Sequence, residues 1–283
     1  NVENTNAGDF YVLRFNTDGS LDSTFGSSGV ARFSFTTAAD NESPWALALQ
    51  DDGKILVAGT FPDGNAGLAR LHTTGALDST FGSGGKITFQ FAKRQTSVPR
   101  KIAIHPDGRI TIAGSSDGTS FSFARFLPNG GVDSTFNGTG KFSVAIATKG
   151  NTGGLVDVVL QPDGKYVAGG MKGATKGQPQ TWTLMRVNPN GGLDTSFGSG
   201  GITTTQFGGT WSVARNVAIL PDGKILAGGD WLQSGTSGNQ AFVFIRYHSN
   251  GQTDTTFGTS GKAIFNFYAP NFRRMEGMAV QAD

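Results

Sequence analysis

The sequence contains no cysteine among its 283 residues, which excludes disulfide bonds and thiolate metal sites. Charged residues make up only 16% of the chain, against the roughly 25% that is usual for soluble domains. No apolar run approaches the roughly 18 residues that a membrane-spanning helix needs, so no membrane insertion is expected. The formal net charge of +2 is too small to indicate a nucleic-acid partner.

Glycine, in contrast, is abundant, with 43 residues. That is about twice its usual share, and together with many serines and threonines it favours tight turns and short strands over helices. The apolar content of 37% and the 22 phenylalanines argue against disorder. The composition therefore predicts an all-β fold with a substantial core.

One phrase returns five times in nearly the same form. It reads SLDSTFGSSG, ALDSTFGSGG, GVDSTFNGTG, GLDTSFGSGG and QTDTTFGTSG, with its aspartates at Asp22, Asp78, Asp133, Asp194 and Asp254. Successive aspartates are 56, 55, 61 and 60 residues apart. A catalytic motif normally occurs once, whereas five evenly spaced copies indicate a structural repeat. We therefore expect a single repeat domain over residues 1–283.

A second phrase indicates a hairpin in each repeat. It reads ALALQDDGKILVAG, IAIHPDGRITIAG, VVLQPDGKYVAGG and VAILPDGKILAGG, with a shortened fifth copy, MAVQAD, at 278–283. An Asp-Gly pair between two alternating apolar runs is the best short-range sign of a hairpin. A third and a fourth strand follow in each repeat. Four strands in roughly 57 residues, repeated, predict the blades of a β-propeller, with a β-solenoid as the alternative.

Each third strand carries an arginine eight residues before the aspartate of its repeat. The pairs are Arg14 and Asp22, Arg70 and Asp78, Arg125 and Asp133, Arg186 and Asp194, and Arg246 and Asp254. A chain reversal between the two residues would make them neighbours across strands. Because the motif recurs in every repeat, we expect five structural ion pairs, largely buried, and not a catalytic site.

The repeats resemble a known family in the pattern R-x-N-P-x-G-x-L-D-x-x-F-G-x-x-G, followed by L-Q-P-D-G-K-I-L-V-A-G. This pattern is similar to the delta-60 repeat, also described as a β-propeller domain of unknown function. The resemblance covers essentially the whole chain. It implies bacterial proteins, often large and surface-exposed or secreted, with no known activity.

The fifth repeat departs from that pattern. Ala282 replaces the proline, and GKILVAG does not follow Asp283. We therefore expect one blade to be assembled from both termini, with its second strand absent from this chain. A closed ring of five blades is the favoured arrangement, and five blades of a longer array is the alternative.

The loops after the second and fourth strands differ among repeats, and those at 171–182 and 230–241 are enlarged. If the first strand is innermost, these loops surround the central channel. Aromatic rings beside arginines suit a sugar or an anionic polymer. The candidate ligand-binding residues are Trp45, Arg100, Trp211, Arg215, Tyr268 and Arg274, with Lys101, Val156, Asp157, Asn216, Phe272, Arg273 and Glu276 beside them.

The sequence supports no metal site and no cofactor. His72, His105 and His248 occupy unrelated repeat positions without metal-ligand spacing. Residues 16–22, NTDGSLD, resemble a calcium loop, but the residue corresponding to Asp18 is a threonine or an asparagine in the other repeats. Whether this one repeat binds calcium is therefore left open.

The sequence leaves three hypotheses about function. The leading hypothesis is a non-enzymatic extracellular binding or adhesion module of a bacterial surface or secreted protein, which engages a glycan or another surface protein through the variable loops. The second is a structural spacer or tip domain in a larger surface assembly. The third is a propeller hydrolase or lyase, whose acids would be Glu42, Asp157 and Glu276, although nothing pairs them at a defined separation. The oligomeric state is left open.

Overall fold

The structure is a computed structural model that describes residues 9–36, 42–147, 153–173, 180–208, 211–232, 239–268 and 274–281. Within these ranges the chain forms eighteen β-strands and no helix, so the predicted all-β fold is confirmed. Accordingly, no helix in the described ranges has the length and apolarity to span a bilayer.

The strands form one sheet of two strands and four sheets of four strands. The first sheet consists of β1 (Phe10–Leu13) and β2 (Val30–Phe33). Blade 1 consists of β3 (Ser43–Leu49), β4 (Ile55–Thr60), β5 (Ala66–Leu71) and β6 (Lys86–Phe89). Blade 2 consists of β7 (Ser97–Ile104), β8 (Ile110–Ser116), β9 (Ser120–Phe126) and β10 (Lys141–Ala145). Blade 3 consists of β11 (Gly154–Leu160), β12 (Tyr166–Lys172), β13 (Thr181–Val187) and β14 (Ile202–Thr205). Blade 4 consists of β15 (Trp211–Ile219), β16 (Ile225–Leu232), β17 (Asn239–Tyr247) and β18 (Lys262–Tyr268).

Each strand of a blade pairs antiparallel with the next strand along the chain. For the first two strands, the Asp-Gly turn between them accounts for the antiparallel pairing. In blade 2, Gly108 has a φ of +81°, a conformation that glycine adopts without steric cost. The Asp107 carboxylate accepts a hydrogen bond from the Arg109 amide at 3.1 Å and so fixes the turn.

The first strands of the blades are innermost and contact one another in series, β3 with β7, β7 with β11, and β11 with β15. Apolar side chains fill the space between neighbouring blades. Ile102 on β7 belongs to the same core cluster as Ala58 on β4, and Val158 on β11 to the same cluster as Ala113 on β8. This succession of like sheets, packed face to face, is the predicted β-propeller.

The arginine of each third strand contacts the aspartate eight residues later. The distance from Nε to Oδ2 is 2.7 or 2.8 Å in all five repeats. The three inner pairs are buried. The pairs of Arg14, beside the first two-stranded sheet, and of Arg246, in blade 4, are partly exposed, with 35% and 23% of the arginine side chain accessible.

The same guanidinium also joins neighbouring blades. Nη1 of Arg125 donates to the carbonyl of Pro189 in blade 3 at 2.5 Å, and Nη2 donates to the Thr135 hydroxyl at 3.0 Å. Beside it, the Asn137 amide donates to the Asn190 carbonyl at 2.6 Å. Equivalent Nη1 bonds run from Arg14 to Thr73, from Arg70 to Pro128 and from Arg186 to Ser249. Each of these arginines therefore fixes its own turn and the next blade at once.

The aspartate of the pair is ionised at neutral pH. Burial alone would raise the pKa of Asp78, but hydrogen bonds from the Thr80 hydroxyl and amide and the charge of Arg70 lower that pKa to about 2. The Arg70 guanidinium also lies over the Phe81 ring, 4.6 Å from its centroid. The repeated phenylalanine is thus the apolar platform for the ion pair.

The fifth repeat supplies a two-stranded sheet and segment 274–281, at the two ends of the described chain. Strands β1 and β2 take the places of a third and a fourth strand, because Arg14 and Asp22 correspond to the pairs of the other blades. Segment 274–281 corresponds in sequence to a first strand. Segment 274–281 forms no strand and pairs with neither β1 nor β2 in the described ranges, so the assembly of one blade from both termini stays a prediction.

The packing against blade 4 identifies the place of segment 274–281. Both Met275 and Met278 put their sulfur atoms 3.0 Å from where a Cβ on Gly228 would lie. The equivalent glycine of blade 3, Gly169, faces Val217 of the neighbouring first strand. Among the described residues, no strand fills the second position and no ladder closes the ring, so this part of the structure does not show the closed ring that the sequence favoured.

Candidate ligand-binding rim

A β-bulge interrupts the first strand of every complete blade at the same repeat position. In blade 2 the register shifts between Pro99 and Lys101, which makes Arg100 the extra residue. The equivalent extra residues are Trp45 in blade 1, Val156 in blade 3 and Arg215 in blade 4. A bulge re-aims the side chain that it carries and is common beside binding sites. Three candidate ligand residues, Trp45, Arg100 and Arg215, therefore share one special backbone position.

A glycine in the second strand makes room for each bulge. A Cβ on Gly114 would lie 2.1 Å from the carbonyl oxygen of Val98 and 3.0 Å from Pro99 Cα. The corresponding distances to a first-strand carbonyl are 2.4, 2.1 and 2.0 Å for Gly59, Gly170 and Gly229. Glycine at this position of the second strand is therefore required by the bulge.

Arg100 is the most distinctive group at this rim. Its guanidinium lies over the Trp45 indole, 4.3 Å from the ring centroid, and that indole is 47% exposed. Burial lowers the pKa of Arg100, and the charge of Arg215 lowers it further. No carboxylate of the described residues lies within ion-pairing distance of Arg100. The structure thus holds a half-buried cation without a carboxylate partner among the described residues, and a bound anion would compensate its charge.

Arg215 is held differently. Its guanidinium lies 5.4 Å from the centroid of Trp211, and its Nε donates to the Asp230 carboxylate at 2.7 Å. Asp230 also accepts the Met275 amide at 2.7 Å, so this pair anchors the C-terminal segment. Burial raises the pKa of Asp230, with a further contribution from Glu276, against the opposing effect of Arg215. Removing Arg215 would therefore disturb the fold as well as the rim.

The residues beside the bulges link neighbouring first strands. The Lys101 ammonium lies 3.1 Å from Asp157 Oδ1, while Asp157 Oδ2 accepts the Val217 amide at 3.0 Å. Asn216 has a buried Oδ1 without a hydrogen-bond partner among the described residues. Val156, the bulge residue of blade 3, is half-buried and adds an apolar surface. Asp157 thus ties three blades together.

The remaining sequence candidates are spread more widely. Tyr268 ends β18 opposite Asn239, and its side chain lies outside the described residues, as do Phe272 and Arg273. Arg274 is exposed at the start of segment 274–281, and Glu276 is exposed two residues later. Arg274 and Glu276 flank Met275, whose amide bonds to the Asp230 partner of Arg215. The side chains of Tyr268, Phe272 and Arg273 lie outside the described residues, so they stay sequence candidates.

Glu42, one of the acids considered for an enzyme, has a structural role. Its side chain is 6% exposed and accepts the amides of Phe35 and Thr36, both at 2.9 Å. These bonds fix the position of the segment directly after β2. The carboxylate is engaged with backbone groups of the fold.

Two cavities of the described residues lie at the opposite rim, where the Asp-Gly turns are. They measure about 550 and 600 Å³, and Gln161 and Pro162 line both. At the candidate rim around Arg100, the Trp45 indole is exposed.

A buried histidine lies in the wall of the larger cavity. His105 Nε2 is 2.7 Å from the Tyr166 hydroxyl and 3.1 Å from the Thr111 hydroxyl, a network that joins blades 2 and 3. Burial lowers the pKa of His105, and the charges of Arg109 and Arg125 lower it further. The neutral imidazole is therefore a structural hydrogen-bonding group.

The free energy of unfolding is expected to fall as the pH drops through about 6.5, because unfolded His105 then takes up a proton that the folded protein does not bind. Urea denaturation at about pH 7.5, 6 and 5 measures this dependence. The variant His105→Gln should show a weaker pH dependence than the wild type. Equal pH dependence in the wild type and His105→Gln would contradict the prediction.

Within the described ranges, no group of three or more histidine, aspartate or glutamate side chains is placed to hold a metal ion. Asp18, from the segment that resembles a calcium loop, accepts hydrogen bonds from the amide and the hydroxyl of Ser20 at 2.9 and 2.6 Å. This carboxylate closes its own turn.

Solved structures with low similarity to the chain include one of unknown function and two enzymes. A protein of unknown function from Bacteroides caccae is 13% identical, with a TM-score of 0.43, over 90% of this chain and 79% of that chain. An aldose sugar dehydrogenase from Streptomyces coelicolor is 16% identical, with a TM-score of 0.42, over 73% and 60%. An endo-arabinase from Bacteroides thetaiotaomicron is 10% identical, with a TM-score of 0.36, over 81% and 94%. Similarities of this size carry no inference about activity.

A search of curated proteins found no match. The sequence model of one family does match, a family described as "Domain of unknown function (DUF5122) beta-propeller". The match covers residues 4–25, 50–81, 105–136, 161–197 and 220–257, which is more than half of the chain and includes part of every repeat. The chain therefore belongs to this family of β-propellers of unknown function.

Proposed function

We propose that this chain is a non-enzymatic binding module of a bacterial cell-surface or secreted protein, and that it binds an acidic glycan at its variable rim. The proposal rests on the Arg100 guanidinium, which is stacked on the exposed Trp45 indole and has no carboxylate partner among the described residues. The donors of such a cation are available to bind an anionic group of a ligand.

The chemistry of the rim favours a glycan with carboxylate or sulfate groups. A guanidinium presents parallel N–H donors that match a carboxylate or a sulfate, and Arg100 shows this group beside the charge of Arg215. The indole of Trp45 offers an apolar face on which a sugar ring can stack.

Three of the acids near the rim support a binding role over a catalytic one, whereas Glu276 is exposed. Asp157 is engaged by Lys101 and by the Val217 amide, and Asp230 by Arg215. Glu42 accepts backbone amides. A general acid or base would need a carboxyl group directed at the substrate, and these three act as acceptors within the fold.

We further propose that the repeats are of the delta-60 type, which their sequence pattern resembles. That resemblance supports a surface or secreted location in a bacterium. Antibody labelling of intact cells that express the full-length protein measures the location. Labelling only after the cells are opened would contradict it.

Wild-type protein is expected to bind acidic glycans on a glycan array in preference to neutral ones, with binding that weakens as salt is added. Arg100→Ala should reduce the affinity about ten-fold or more, because a hydrogen bond to a charged group contributes roughly 1.5–3 kcal/mol. Trp45→Ala should reduce it as well, since the stacking surface is lost. Array binding followed by calorimetry with a positive glycan measures both effects.

Lys93→Ala is the matched control, since it removes one exposed positive charge from the loop after β6 without touching Arg100. Its affinity should equal that of the wild type. The proposal is wrong if the wild type binds no acidic glycan, or if Arg100→Ala and Lys93→Ala bind equally well.

A further inference from the structure

A cavity of about 570 Å³ lies between blades 1 and 2, where their fourth strands begin. Its walls come from all of β6, from the turns at 82–83 and 130–132, and from residues of blade 2 and of the segment after β2. None of its residues belongs to the candidate rim around Arg100. The volume is within the range of small-molecule sites.

The charge of the cavity wall is entirely positive. Lys86 and Lys141 line the cavity, and no aspartate or glutamate does. Both lysines directly follow the last glycine of the repeat phrase, a position occupied in the five repeats by Val30, Lys86, Lys141, Ile202 and Lys262. Blades 1 and 2 are therefore the only neighbouring repeats in the sequence that both carry lysine at this position.

The two lysines differ in their partners. Lys86 Nζ donates to the Ser34 carbonyl at 2.8 Å and lies 5.9 Å from the centroid of the Phe35 ring. Lys141 is half-buried, and burial alone lowers the pKa of its ammonium group. No carboxylate of the described residues lies within ion-pairing distance of Lys141. The cavity thus holds a partly desolvated cation whose charge the fold does not compensate.

The rest of the wall is largely apolar and aromatic. Phe89 and Phe126 pack edge to face, with their ring centroids 5.2 Å apart. Phe35, Ile87 and Val132 extend this apolar wall. A ligand with a flat apolar body can bury its surface against such a wall while an anionic group contacts a lysine.

Hydrogen bonds between the two blades fix the cavity in place. The Gly82 amide donates to the Asn129 carbonyl at 2.8 Å, and Nη1 of Arg70 donates to the Pro128 carbonyl at 2.6 Å. The two turns that line the cavity are therefore held against each other without a ligand. A preformed site lowers the entropy cost of binding.

We propose that this cavity binds a small organic carboxylate with a flat, apolar body. The carboxylate contacts the Lys141 ammonium, and the flat body lies against the apolar wall that includes Phe35 and Ile87. Because the cavity shares no residue with the rim proposed for acidic glycans, this is a second and independent binding site.

Calorimetry with 2-naphthoate tests the proposal on the 283-residue protein. Binding should be about ten-fold or more tighter than that of 2-naphthamide, a neutral molecule of the same shape, because only the carboxylate forms a charge-assisted bond. Added salt should weaken the binding of 2-naphthoate. In NMR spectra of the wild type, 2-naphthoate should shift the amide signals of Gly82, Ser83 and Gly131.

The variant Lys141→Met removes the charge but keeps an apolar side chain. It should bind 2-naphthoate no more tightly than 2-naphthamide, and its stability should stay close to that of the wild type because no ion pair is lost. Lys262→Met is the matched control, since Lys262 has the same repeat position in blade 4 and lies over the Phe207 ring. It should bind like the wild type, and so should Arg100→Ala.

The proposal is overturned if 2-naphthoate does not bind, if it binds no better than 2-naphthamide, or if Lys141→Met binds it as tightly as the wild type. The NMR shifts in the wild type provide the second readout if Lys141→Met does not fold. Shifts around Arg100 with none at Gly82, or a loss of binding in Arg100→Ala, would place the anion at the glycan rim and overturn the assignment of this cavity alone.

Discussion

Replacing Asp133 with alanine is expected to lower the free energy of unfolding by about 3–5 kcal/mol, because Arg125 would keep its charge in a buried position without a partner. The Arg125 and Asp133 side chains are 2% and 3% exposed, so water cannot take over the role of the carboxylate. The change also removes the hydrogen bonds that the Thr135 amide and hydroxyl donate to Asp133. Urea denaturation measures the loss, and the Tm should fall by roughly 10 °C.

Asp107→Ala is the matched control within the same blade. Asp107 is also paired with an arginine, Arg109, but its side chain is 51% exposed. An exposed pair contributes about 0–1 kcal/mol and the bond from the Arg109 amide about 0.5–1.5 kcal/mol, so this variant should lose clearly less stability than Asp133→Ala. Equal losses in the two variants would show that burial of the repeat pair does not matter for stability.

Replacing Gly114 with alanine is expected to destabilise the protein by about 1–3 kcal/mol or more, because the added methyl group meets backbone atoms that cannot move aside independently. The new Cβ would lie 2.1 Å from the Val98 carbonyl oxygen and 3.0 Å from Phe91. Relief of that contact requires the bulge at Arg100 to change, so the affinity for an acidic glycan should fall as well. Thermal denaturation and glycan binding measure the two effects on the same sample.

Gly192→Ala is the control for the loss of a glycine. The atom nearest to the added methyl group would be the Asn190 side-chain oxygen, at 3.6 Å, and the φ of Gly192 is not positive. The substitution should be neutral or slightly stabilising, since it reduces the freedom of the unfolded chain. A Gly114→Ala protein as stable as Gly192→Ala would contradict the requirement for glycine opposite the bulge.

The fold was largely predictable because short sequence motifs determine its turns and strand contacts, and the same motifs recur in each repeat. Asp107 and Gly108 between two alternating apolar runs predict a hairpin, since the turn needs a left-handed residue and the strands need period two. The spacing of eight residues between Arg125 and Asp133 predicts their contact, since a short reversal aligns them across strands. Each prediction depends on residues less than ten positions apart.

The rim was less predictable because its geometry depends on pairing between strands. The position of Arg100 was visible, but the bulge that aims its side chain is set by Gly114 on another strand. The pair of Arg215 and Asp230 joins residues 15 positions apart without a repeated pattern. The bond from Arg125 to Pro189 spans 64 positions, and only the packing of two blades reveals it.

Leu47 on β3 is 60% exposed, whereas Ile102 and Val217 at the equivalent positions are 6% and 7% exposed. The exposure of Leu47 could not be inferred from β3 itself, because its alternation resembles that of the other first strands. Exposure depends on what the neighbouring blade supplies.

Hydrogen exchange at the Asn137 amide tests most directly whether each arginine joins its blade to the next. This amide donates to the Asn190 carbonyl beside the bond from Arg125 to Pro189. The variant Arg125→Lys keeps the positive charge but loses the guanidinium group that bonds to Asp133 and Pro189 at the same time. Hydrogen exchange at the Asn137 amide should therefore accelerate about ten-fold or more, while the equivalent Gly198 amide stays slow. Unchanged exchange at Asn137, or equal acceleration at both amides, would show that the guanidinium does not hold the two blades together.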